Sequence, residues 1–227
     1  MRTTSVILAR RIGQLLLGLF LYGIGIALMV RGAVGVAPWD VLSQGISLRT
    51  GLSFGLVTNL IGAAVLLAWI PIRQKPGIGT IANVLLIGPS AQFGLWVIPV
   101  LDDLVARVAV FCLGLAVVAL ATGLYIGARM GPGPRDGLMT GIHRRWGWPI
   151  WVARTAVEVT VLTIGWVLGG NVGLGTLAFA LLIGPMVHRT IPWLMVPAAV
   201  TRPVAAADTE IAGETPSTRE PVPRVEG

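Results

Sequence analysis

Displaced by 96 residues, the chain matches itself without a gap. Gly35, Pro38, Asp40, Gly45, Ile46, Arg49 and Gly51 fall on Gly131, Pro134, Asp136, Gly141, Ile142, Arg145 and Gly147. The register persists to Gly77-Ile78-Gly79-Thr80 over Gly173-Leu174-Gly175-Thr176, and to Leu85 through Pro89 over Leu181 through Pro185. Of the 79 positions from 11 to 89, 24 are identical to their partners, more than shared apolar composition would give. An internal duplication of this length restricts the fold to a pair of like units. In a membrane chain it also points to the interface between the units as the place where a solute binds.

Composition places the chain in a membrane. Hydrophobic residues make up 55% and charged residues 12%, and the apolar stretches run about 18 to 22 residues, enough for a helix to cross roughly 30 Å of hydrocarbon. Six spans are expected, at about 12–30, 54–72, 79–98, 107–127, 150–168 and 174–195. The Arg10-Arg11 pair before the first span reads as a topology anchor of an uncleaved span, since the apolar run is long and five more follow.

Arginine and lysine in short loops set the orientation. With the N-terminus and its Arg2, Arg10 and Arg11 inside, Arg73, Lys75, the 128–149 loop and the tail are inside too, while the Asp102-Asp103 and Gly169-Gly170-Asn171 turns are outside. Arg31 and Arg49 dissent. Three spans per repeat is an odd number, so the second copy enters the membrane upside down. The expected fold is all-α and integral to the membrane: six transmembrane helices as two inverted three-helix repeats, residues 1–100 and 101–198, each with a short amphipathic half-helix. From 199 to 227 the hydropathy collapses among prolines and acidic residues, the composition of a disordered cytoplasmic tail.

Several function classes drop out. Cys112 is the single cysteine and His143 and His188 are the only histidines, so neither a disulfide framework nor a metal site of usual ligand count is implied, and no cofactor is expected. The net charge of +7 needs no nucleic acid, because anionic headgroups and the inside bias of arginine account for it. No nucleophile, base and metal constellation is visible, so an enzyme is not expected.

Residues 38–50 and 134–146 are too short and polar to span, yet read as helix: Pro stands at the first helical position and Asp two residues later, in the positively polarised first turn. Asp40, Ser43, Gln44 and Ser47 recur on one face, with Asp136, Thr140 and His143 on the corresponding face of the second copy. Such a stripe suits either a re-entrant helix lining a cavity or an interfacial amphipathic helix whose aspartates only complement the dipole.

Gly77-x-Gly-Thr80 and Gly173-x-Gly-Thr176 lack the lysine of a phosphate loop and are expected to be turns with threonine as N-cap. Gly88-Pro89 and Gly184-Pro185 fall near mid-membrane and are expected to kink or break the third and sixth spans. Arg154 and Glu158, one helical turn apart in the fifth span, are expected to pair, Glu158 being either a ligand- or proton-coupled group or a structural partner. Asn59 and Asn83 are expected to form interhelical hydrogen bonds. Gly23-x-x-x-Ala27 and Ala119-x-x-x-Gly123-x-x-x-Gly127 form equivalent small-residue faces, expected to join the first and fourth spans to each other or to serve a homodimer.

The run from Leu28 to Gly55, with Gly35-Val36-Ala37-Pro38-Trp39-Asp40, Gly45, Gly51 and Ser53, followed by Gly77-Ile78-Gly79-Thr80-Ile81-Ala82-Asn83 and Ile87-Gly88, resembles the YczE/YyaS/YitT family of bacterial integral membrane proteins, and more closely its YczE-like branch. The likeness covers most of residues 12–195. It implies a bacterial inner-membrane protein and carries over no catalytic residue. In the second copy Arg135 stands where the first has Trp39.

These readings converge on a multi-pass protein of the bacterial inner membrane, both termini cytoplasmic, whose partners are the bilayer and a small solute or ion. It is expected to be a transporter, an exporter being one form, with a site between the repeats formed by Asp40, Ser43, Gln44, Asp136, Thr140, His143 and Glu158. The alternative is a non-transporting scaffold or assembly factor.

Overall fold

The computed structural model describes residues 2–196; the tail expected from 199 to 227 lies outside them. Eight helices follow in order: α1 (Arg2–Gly32), α2 (Pro38–Thr50), α3 (Phe54–Ile72), α4 (Ile78–Val97), α5 (Leu104–Gly127), α6 (Pro134–Trp146), α7 (Ile150–Val167) and α8 (Leu174–Leu194). No strand occurs among the described residues. All but α2 and α6 are long and apolar enough to cross a membrane, and their bounds lie close to those expected from the sequence, except that α1 begins earlier.

The half-helices α2 and α6 obey local rules. Each opens on proline at its first position, carries an aspartate in the first turn, and ends on a glycine in the left-handed conformation, Gly51 at φ 73° and Gly147 at φ 72°. Thirteen residues each, they reach about 20 Å, too short to span. Their N-terminal halves are buried and their C-terminal ends exposed: Trp39 and Val41 are inside, Leu48 and Arg49 outside.

The two repeats join along α1 and α5. Gly18 approaches Ala121 and Tyr125, Gly25 approaches Gly114 and Val118, and Gly32 approaches Arg107 and Phe111. As numbers rise along α1 they fall along α5, so the two helices are antiparallel. A methyl group added at Gly25 would lie 3.0 Å from the Gly114 carbonyl oxygen, and one at Gly114 2.8 Å from that of Gly25. The spacing of seven keeps one face of each helix on its neighbour. The meeting of the first and fourth spans is therefore found, but through a different stripe from the one expected: Gly23 and Ala27 face Ala91 and Gly94 of α4, and Gly123 faces Thr190 of α8. Both four-residue stripes pack within their own repeat; spacing reveals that a face is small, not which helix lies across it.

The half-helices are exchanged. α2 packs on α7 and α6 packs on α3. The backbone of Val41 and Leu42 lies against Gly165, whereas at the equivalent contact the Trp69 indole lies against Gly137 and donates to the Pro134 carbonyl at 3.0 Å. Bulk has moved from one side of the contact to the other while the helices keep their places.

The loops leading into the half-helices are seated on the opposite repeat. Gly175 N–H donates to Val34 O at 2.8 Å, and Gly79 N–H to Met130 O at 2.8 Å. Gly35 at φ 115° and Gly131 at φ 125° lie against Thr176 and Thr80, where an added methyl would meet the hydroxyl oxygens at 2.8 and 2.9 Å. The glycine-threonine motifs are thus docking seats. Gly77 and Gly173 are the N-caps; Thr80 and Thr176 stand two residues past the helix start, where each hydroxyl accepts the N–H of its own cap glycine. Thr80 also donates to Pro132 O at 2.7 Å.

The expected breaks at Gly88-Pro89 and Gly184-Pro185 are not interruptions, for α4 and α8 run through both prolines. In α4 the reason is visible. Pro89 offers no N–H to Leu85 O, and the Asn59 amide of α3 approaches that carbonyl at 3.4 Å while accepting Gly88 N–H at 3.0 Å. Asn59 is thus the interhelical bond expected of it.

Symmetry ends at these helices. α3 packs along α4, whereas α7 and α8 stand apart. Gly55 and Gly62 give α3 a small face toward Gly88, Gln92 and Val84; their counterparts are Trp151 and Glu158. Nothing lies within 4 Å of a methyl group added at Gly184.

The arginines that dissent from the inside bias each serve a helix end. Arg49 donates to Leu168 O at 3.1 Å, and Arg31 donates to Leu95 O. Arg107 donates to Gly32 O and Ala33 O at 3.0 and 2.6 Å. Cations there satisfy carbonyls with no intrahelical partner.

Candidate functional site

Because the loops seat both half-helices deep in the protein, their first turns meet. The Arg135 guanidinium of α6 lies 5.0 Å from the centre of the Trp39 ring of α2 and 3.9 Å from Asp40 Oδ1. Trp39 and Arg135 are partners under the 96-residue displacement, so one duplicated position supplies both halves of a cation–π contact. Asp40, outside the six spans, is 1% exposed; burial pushes its carboxyl up to about 6, against the opposing pull of Arg135.

Beside this junction is a cavity of about 280 Å³, at the small end of ligand pockets. Arg135 and Asp136 of α6 and Arg154 and Glu158 of α7 line it, together with Trp39, Tyr22, Tyr125, Asn59, Asn83, Thr58 and Thr122. Ile61 and Val65 of α3, Met139 of α6, and Phe179, Ile183 and Val187 of α8 supply apolar walls. Tyr125 donates to Asp136 Oδ2 at 3.0 Å and meets Tyr22 edge-on, with ring centres 6.0 Å apart. Arg154 Nε donates to Glu158 Oε1 at 3.0 Å, the pair expected from their spacing.

The residues expected at the site divide. Asp136 and Glu158 line the cavity, and Asp40 lies behind Arg135. Ser43 is fully buried, donating to Trp39 O at 3.1 Å and accepting from Thr58 at 3.3 Å. Gln44 accepts Asn171 N–H at 3.0 Å, tying α2 to the turn before α8. Thr140 donates to Asp136 O and Gly137 O at 3.0 and 3.2 Å. His143 is exposed, its Nδ1 2.7 Å from Trp148 O at the end of α6. These four stand away from the cavity. Asp40, Asp136 and Glu158 form no metal-ligating group among the described residues.

The sequence carried one signal for a residue not counted among the site: Arg135 breaks the duplication at a position otherwise flanked by identities. Tyr22 and Tyr125 carried none, because their counterparts Val118 and Met29 are ordinary span residues. Only packing brings the two rings together.

Residues 9–192 match a family described as a family of unknown function, DUF6198. Over 180 residues the chain is 40% identical to an uncharacterized protein of Haemophilus influenzae, covering 79% of this chain and 82% of that protein. It is 33% identical over 177 residues to the uncharacterized membrane protein YczE of Bacillus subtilis, covering 77% and 82%, and 27% identical over 180 residues to the uncharacterized protein YyaS of the same organism, covering 78% and 90%. No solved structure matches. Six apolar helices and the likeness to a membrane protein identify a multi-pass membrane protein. With four-fifths of its length matched and the YczE likeness upheld, the chain belongs to the DUF6198 family.

Proposed function

We propose that this protein is a transporter of a small solute in the bacterial inner membrane, built as two inverted three-span repeats that expose the cavity between them alternately to the two sides. The observation that carries this reading is the cavity itself: four charged side chains gathered in an otherwise apolar helical body, where two half-helices meet. Charged groups immersed among spans are costly and mark solute or proton paths. The antiparallel contact of α1 with α5 supports inversion, and arginine placement supports cytoplasmic termini.

In this reading Arg135, Asp136, Arg154 and Glu158 contact the solute, which passes chemically unchanged. Ser43, Gln44, Thr140 and His143 hold the half-helices. Asp40 couples the cycle to protons: taking one below pH of about 6, it releases Arg135 from its ion pair. Tyr22, Asp136 and Arg154 also face this junction.

Flux into proteoliposomes, with and without a pH gradient, tests the reading. Asp40→Asn and Asp136→Asn are expected to abolish gradient-driven flux and leave the protein monodisperse; undiminished flux would remove both aspartates from the mechanism. Absence of flux across a broad panel of amines, acids, amino acids and ions would favour the scaffold reading. Single cysteines replacing Asp102 and Gly170, in a Cys112→Ser background, are expected to be labelled from the same side of the membrane, and labelling from opposite sides would end the inverted arrangement.

A further inference from the structure

The transport reading leaves the chemistry of the solute open, and the unspent hydrogen-bonding groups of the cavity narrow it. Arg135 makes no hydrogen bond among the described residues; its ring contact and the 3.9 Å approach to Asp40 leave five donors unspent. Asp136 uses one oxygen for Tyr125 and keeps the other. Arg154 and Glu158 spend one nitrogen and one oxygen on each other, with 51% and 29% of their side chains exposed. The Thr58 hydroxyl, by contrast, is shared between Phe54 O and Ser43 Oγ, and that of Thr122 is committed to Val118 O. The cavity therefore offers a guanidinium and a carboxylate side by side on α6, and a second such pair on α7.

Resting on the transport reading, we infer that the solute is a small zwitterion, carrying an ammonium and a carboxylate on a compact apolar body. A cation alone would meet Asp136 but leave the donors of the Arg135 fork unspent, with only the 3.9 Å approach of Asp40 beside them; an anion alone would meet Arg135 but leave the free oxygen of Asp136 without a donor. A zwitterion answers both. Its carboxylate faces the Arg135 fork and the positively polarised first turn of α6, and its ammonium faces the free oxygen of Asp136. A cavity of about 280 Å³ lies at the small end of ligand pockets and suits a compact solute. Phe179, Ile183 and Val187 on one side and Val65 and Met139 on another give the body an apolar bed.

Two matched sets of probes differ in charge alone: L-phenylalanine, phenethylamine and 3-phenylpropionate; L-leucine, isopentylamine and 4-methylvalerate. Calorimetry on the full chain in nanodiscs is expected to show at least one amino acid binding tenfold or more tighter than both of its singly charged analogues. Arg135→Gln is expected to weaken that amino acid at least tenfold while holding the amine within twofold, and Arg135→Lys to recover part of the loss. Equal or tighter binding of either analogue in both sets overturns the inference, and so does no binding by any of the six. If Arg135→Gln does not fold, the comparison on the unaltered protein still decides. Flux of a singly charged solute would overturn the zwitterion and leave transport standing. Zwitterion binding without flux would do the opposite.

Discussion

The pairs α3–α4 and α7–α8 hold equivalent places in the two repeats, yet one is closed and the other open. On α3, Gly55, Asn59 and Gly62 present two small residues and an amide that repairs the backbone beside Pro89. On α7 the same positions hold Trp151, Thr155 and Glu158, which forbid close approach and repair nothing. Between the two helices only Val65 and Leu66 are kept, as Val161 and Leu162, and these three exchanges fall on the face that α3 turns to α4. Arg154 and Glu158 stand where the first copy has Thr58 and Gly62, so this charged pair belongs to the second copy alone.

The contrast is sharpest at the glycines before the prolines. Gly88→Val drives a side chain into Asn59 and the Gly55 carbonyl and is expected to cost about 3 kcal/mol. Gly184→Val enters open space and should stay within about 0.5 kcal/mol. Denaturant unfolding in detergent measures both, and equal costs would break the comparison.

Returning the open side to the chemistry of the closed one is expected to act on function. Arg154→Thr with Glu158→Gly should lower flux at least tenfold while changing stability by about 1 kcal/mol, the cost of a glycine inside a helix. Full flux in a stable double variant would reduce the pair to a structural contact.

A smaller effect is expected from Asn59→Leu, which leaves the Leu85 carbonyl without its amide and should cost about 1–2 kcal/mol. Thr155→Leu, at the exposed counterpart, should cost less than about 0.5 kcal/mol. Parity between the two would mean that Asn59 does not hold the closed side together.

Much of this body was legible in the chain. Span bounds followed from apolar length, the half-helices from proline and aspartate in their first turns, and the Arg154–Glu158 pair from helical spacing. Of the contacts across the repeats only the meeting of the first and fourth spans was legible, and through a different stripe, because a duplication says that two segments are alike and not which segment each one touches. Thr80 reads as a cap until its hydroxyl is found donating to Pro132 O on the opposite repeat. Ser43 and Gln44 read as a wet stripe because polarity marks hydrogen bonding, and theirs is spent on packing α2. Tyr125 is an unremarked span residue until Asp136 is 3.0 Å away.

The exchanged seats also set an order of events during synthesis. The loop ahead of α2 rests on residues 173–176, which leave the ribosome long after that loop has entered the membrane. Until then Val34 O and Gln44 have no permanent neighbour, and the first half is an unfinished object held in waiting. The second half waits for nothing, since the residues that receive the loop ahead of α6 are already made. A chain cut in the 98–103 turn and expressed as two pieces would therefore have to assemble by mutual insertion, each piece supplying the groove in which the other comes to rest.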